Sequence, residues 1–143
     1  MSAAPIPSRL IFLSELPQCS PRDKVRFLGW HVIVDKYDVK SGTLSLSHTY
    51  PKDIPTPIMA FINVDHVLES VRSADLEVGA WINVVGYIID SKEEKVLKKS
   101  RKSSRRQQGT LSIRVQAIML WSAGMLNVDA YEKALQERLS ISV

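Results

Sequence analysis

The stretch KVRFLGWHVIVDKYD, residues 24–38, is rich in β-branched and aromatic residues. Those residue types favour strands, yet the run is too long for an ordinary flat one. Gly29 lies near its middle. A glycine inside a strand marks a sharp bend, as at the corner of a small barrel. The reading is therefore a strand bent so that it serves two halves of one closed sheet.

Downstream, DVKSG (38–42) is a tight turn and TLSLSHTY (43–50) alternates. Leu44, Leu46 and His48 fall on one face and Thr43, Ser45 and Ser47 on the other, the pattern of a half-buried antiparallel strand. PKDIPTP (51–57), with three prolines, is a loop, and IMAFINV (58–64) is a third strand. DHVLESVRSADL (65–76) predicts a short helix, with Asp65 as cap and Val67, Leu68 and Val71 on one side. EVGAWINVVGYIID (77–90) opens with a glycine turn and continues as a fourth strand. TLSIRVQAIMLWS (110–122) is a fifth, with Leu111, Ile113, Val115, Ala117 and Met119 expected on one face. NVDAYEKALQERLSISV (127–143) closes the chain as a helix. Asn127 is placed to cap it, and Val128, Tyr131, Leu135, Leu139 and Ser142 share a stripe. Asp129 lies early and Arg138 late, as the helix dipole favours.

Upstream, PQCSPRD (17–23) is a turn and RLIFLSEL (9–16) a short apolar element. Residues 1–8, small and proline-bearing, are expected to be disordered. The order is strand, strand, strand, short helix, strand, strand, helix. That is the connectivity of the OB-fold, a five-stranded Greek-key barrel. The fold class is all-β with flanking helices: a single OB-fold over residues 9–143, ending in a C-terminal helix at 127–141.

Between the fourth and fifth strands runs KEEKVLKKSRKSSRRQQG, residues 92–109, inside an expected flexible basic insertion at 91–109. The chain has 19 basic and 15 acidic residues; this run holds eight and two of them. Eleven basic and thirteen acidic residues remain, so the body carries −2 and the formal +4 belongs to one segment. A cationic segment attracts phosphates. OB-folds bind oligonucleotides partly through this connection, and single strands want a cationic track with aromatic stacking platforms. Lys98, Lys99, Arg101, Lys102, Arg105 and Arg106 are the densest part of such a track. Trp30 and Tyr50 are the candidate exposed aromatics. Two other readings stay open beside DNA contact: a nuclear import signal and a solvated insertion.

Hydrophobic residues make up 45% of the 143, enough for a core in one domain. Cys19 is the only cysteine, so no internal disulfide forms, which fits a reducing compartment. No apolar run reaches the length of a membrane helix. His31, His48 and His66 lack metal-ligand spacing, and no phosphate loop, GxGxxG or GxSxG motif is present. The expectation is a protein that is not an enzyme and carries no metal or cofactor.

KVRFLGWHVIVDKYDVKSGTLSLSH, VGAWINVVGYI and GMLNVDAYEKALQERLSI together resemble the Ten-one family, the small subunit of the CST telomere-capping trimer, in a fungal-type form. The resemblance spans roughly residues 8–141. It implies a single OB-fold that pairs with the OB domain of a larger subunit, Stn-one, through packed terminal helices. Carried over, Arg26, Val128, Tyr131, Leu135, Leu139 and Ile141 would lie at the partner interface. It further implies indirect partnership with the large telomere-binding subunit and with DNA polymerase α–primase, support of single-stranded telomeric DNA binding, and a nuclear, telomeric location. The long basic connection departs from shorter members. The alternative function is an autonomous OB-fold protein that binds single-stranded DNA or RNA.

Overall fold

The computed structural model describes residues 7–32, 42–52, 58–70, 77–89 and 111–141. These described residues form six strands: β1 (Arg9–Leu10), β2 (Lys24–Val32), β3 (Thr43–Ser47), β4 (Ile58–Asn63), β5 (Trp81–Ile88) and β6 (Leu111–Ser122). Short 3₁₀ helices cover Leu13–Gln18 and Asp65–Ser70, and helix α1 covers Val128–Ile141. β2, β3, β4, β6 and β5 pair in that order, and β5 pairs back onto β2 to close a ring. The β4–β6 pair is parallel; the other ring pairs are antiparallel. This is the OB-fold barrel expected from the element order.

β2 carries the closure. Its residues Lys24–Trp30 pair with β5, and Trp30, His31 and Val32 pair with β3. Gly29 sits where the strand turns from one partner to the other. A Cβ there would lie 2.7 Å from Leu46 Cβ and 3.0 Å from Leu13 Cδ1, too close for an unmoved core. The bend read from the sequence is thus also a packing requirement.

The interior is filled by Val25 and Phe27 of β2, Leu44 and Leu46 of β3, Ala60 and Ile62 of β4, Ile82 and Val84 of β5, and Val115 and Ala117 of β6. RLIFLSEL does more than the sequence suggested. Arg9 and Leu10 pair parallel with Val25 and Arg26, and Leu13 and Leu16 of the following 3₁₀ helix are fully buried in the core. That helix is held by reciprocal bonds: Phe12 N–H donates to Glu15 Oε1 at 2.9 Å, and Glu15 N–H to the Phe12 carbonyl at 2.9 Å.

Three details differ from the sequence reading. The expected 65–76 helix is a 3₁₀ helix over Asp65–Ser70, with residues 71–76 outside the described set. Its entrance acceptor is Asn63 Oδ1, which takes the Asp65 N–H at 2.9 Å. Finally, β6 does not keep one face. Val85 pairs with Met119 but Gly86 with Ala117, so Ile118 is an extra residue and the alternation slips by one. Met119, expected inward, is 56% exposed, and Leu120 is buried instead.

Candidate partner interface

Helix α1 starts as its sequence dictates. Asn127 Oδ1 accepts the Ala130 N–H at 3.0 Å, and the Asn127 carbonyl accepts the Tyr131 N–H at 3.0 Å. One turn in, Glu132 reaches back to the barrel: its Oε2 lies 2.7 Å from His48 Nε2, with both side chains largely buried. Phe12, Leu28, Val85 and Leu135 are buried without belonging to the interior cluster. Arg26, Leu28 and Trp30 alternate with the inward Val25 and Phe27, so Leu28 belongs to the outer wall of β2. Leu135 is the one α1 side chain that is fully withdrawn from solvent.

The outer wall of β2, β5 and β6 presents two cross-strand rows. Arg26, Val85 and Met119 form one; Leu28, Asn83 and Trp121 form the other. The Arg26 guanidinium stands over the Trp121 ring, 5.3 Å from its centroid. Half-buried Tyr131 of α1 lies within the field of the same arginine. Burial pushes its phenol above the usual tyrosine value, and the Arg26 charge opposes that rise. The Tyr131 hydroxyl is buried with no hydrogen-bond partner among the described residues. Arginine, tryptophan, methionine and tyrosine side chains are the types enriched at protein interfaces.

The six residues expected at a partner surface therefore divide. Arg26 stands over Trp121, and its charge acts on Tyr131. Val128 and Leu139 are half-buried, and Ile141 is 81% exposed. Leu135 faces the chain's own barrel rather than solvent. Met119 and Trp121 join the patch without having been singled out, because the β6 slip that exposes Met119 leaves no mark in residue composition. Trp30 is 46% exposed, as expected, whereas Tyr50 is half-buried against Phe12, with ring centroids 4.7 Å apart. Lys98, Lys99, Arg101, Lys102, Arg105 and Arg106 lie outside the described residues, as does the whole 92–109 run.

The histidines stay apart in role: His31 is buried in β2, His48 is bound to Glu132, and His66 is exposed. Among the described residues no three His, Cys, Asp or Glu side chains are grouped to hold a metal ion.

Two solved structures share the fold. A chain in the crystal structure of the S. pombe Stn1–Ten1 complex superposes with a TM-score of 0.61 at 20% identity, over 96% of each chain. The crystal structure of telomere capping protein Ten1 from S. pombe gives a TM-score of 0.61 at 22% identity, covering 94% of this chain and 99% of that one. A search of curated proteins finds no match. The sequence matches the Ten1 family, described as "Telomere capping, CST complex subunit", over residues 1–136. That match takes in the barrel and the first two turns and more of α1, so the chain belongs to the Ten1 family of telomere-capping CST subunits.

Proposed function

We propose that this chain is a non-enzymatic capping subunit that pairs with a larger OB-fold subunit of the Stn1 type and works in the nucleus at chromosome ends. The observation that carries the pairing surface is the exposed Arg26 guanidinium over Trp121, with its charge also felt at the Tyr131 phenol of α1. A partner acceptor at that point would pair with the exposed arginine and exclude water from it. Val128, Leu139 and Ile141 extend the surface along α1, and Leu135 supports it from beneath. Through the larger subunit the assembly would reach the large telomere-binding subunit and DNA polymerase α–primase. Support of single-stranded telomeric DNA binding is assigned to Lys98, Lys99, Arg101, Lys102, Arg105 and Arg106 by their charge.

The test is affinity between purified partners. Arg26→Ala and Tyr131→Ala should each weaken pairing by about tenfold or more while circular dichroism of the chain is retained. Wild-type affinity in both variants would reject the surface.

A further inference from the structure

A cavity of about 270 Å³ opens where the first turn of α1 meets the barrel, with Trp30, Trp81, His48, Val128 and Glu132 on its walls. The Trp30 and Trp81 rings lie 5.4 Å apart at 44° to each other, and His48 stands edge-on to Trp81 at 5.1 Å. His48 is only 4% exposed, and its Nδ1 is buried with no partner among the described residues.

The chemistry of these walls is one-sided. His48 Nε2 lies 2.7 Å from Glu132 Oε2, a contact that fixes the carboxylate at the wall of the cavity. Oε2 is the oxygen engaged with His48, and the carboxylate carries a second one. Indole faces are themselves electron-rich and attract cations, tryptophan more than other rings. A phosphate would meet the carboxylate unfavourably, and an aliphatic side chain would make no use of it. A flat cation rich in N–H donors suits these walls: it stacks on indole and pairs with the carboxylate. The same chemistry already operates elsewhere in the molecule, where Arg26 covers Trp121. We infer that this cavity receives a guanidinium group, an arginine side chain presented by a partner protein. The site is separate from the Arg26–Tyr131 group and does not depend on it.

The experiment follows the indole N–H signals of the isolated full-length chain by nuclear magnetic resonance. The probes are N-acetylarginine amide, its neutral isostere N-acetylcitrulline amide, and deoxyadenosine monophosphate. The chain has three tryptophans, so Trp121 serves as the internal reference. The arginine probe should shift Trp30 and Trp81 saturably and leave Trp121 in place, with citrulline weaker by about tenfold or more. Glu132→Gln should lose that preference. Trp30→Ala, at an exposed position, should lose binding as read from Trp81 while the remaining spectrum stays native. Equal responses to arginine and citrulline, a stronger response to the nucleotide, or undiminished binding in Trp30→Ala would each overturn the assignment.

Discussion

Tyr131 shows how much rests on single side chains in this protein. A buried hydroxyl without a partner costs about 1–3 kcal/mol, and here it sits where a partner is proposed to dock. Tyr131→Phe should therefore leave the isolated chain as stable as the wild type, or more so, in chemical denaturation. The pH dependence has a definite sign. The folded-state phenol value is raised, so the folded chain holds that proton more tightly than the unfolded chain does. Its contribution is complete below the unfolded value of about 10 and is lost as pH rises through the folded one. The stability difference between wild type and Tyr131→Phe should therefore move against the wild type above about pH 10, as read by urea titrations at stepped pH. Gly86 gives a harsher case. An added Cβ would collide with the Gln116 carbonyl and crowd Val115 Cγ1 at 2.9 Å, and neither a ring-pairing backbone nor a core valine yields easily. Gly86→Ala should cost about 1–3 kcal/mol, measured by thermal or urea unfolding.

Helix α1 is held by its cap, by the His48–Glu132 contact and by Leu135. Asn127→Ala should cost about 1 kcal/mol of helix stability. Leu135→Ala should cost about 2–5 kcal/mol by opening a cavity under the helix, so its effect on pairing would come through a loosened helix, unlike that of Tyr131→Ala. Comparing unfolding curves with partner affinities separates the two. The legible and the hidden parts of the fold are both visible at this scale. The Asn127 cap, the Leu44–Leu46–His48 face and the Gly29 bend were readable because each is set by neighbours a few residues away. The plug formed by Leu13 and Leu16 was not, since a short apolar run reads alike whether it covers a surface or fills a barrel. Nor was the β6 slip: an inserted residue is defined by the partner strand across from it, and Met119 looks inward until Val85 is known to face it. Trp121 and the His48–Glu132 contact escaped for the same reason, since each joins residues far apart in the chain.

Across the whole molecule, charge is segregated: six positive charges net in residues 92–109, and a body at −2. If that segment touches single-stranded DNA in the assembled complex, neutralising Lys98, Lys99, Arg101, Lys102, Arg105 and Arg106 should lower affinity and flatten its salt dependence. Each lost phosphate contact should remove about 0.7 from the slope of log affinity against log salt. An unchanged slope in a binding titration over several salt concentrations would leave the segment to import or to solvation. The ring itself has a further consequence. Because β5 returns to β2, every ring strand has a neighbour on both sides, and among the described strands the one with a wholly unpaired side is β1, two residues long. Another copy has almost nothing to extend as a sheet, so the native protein should resist fibril growth at concentrations where an open sheet of similar size would seed it.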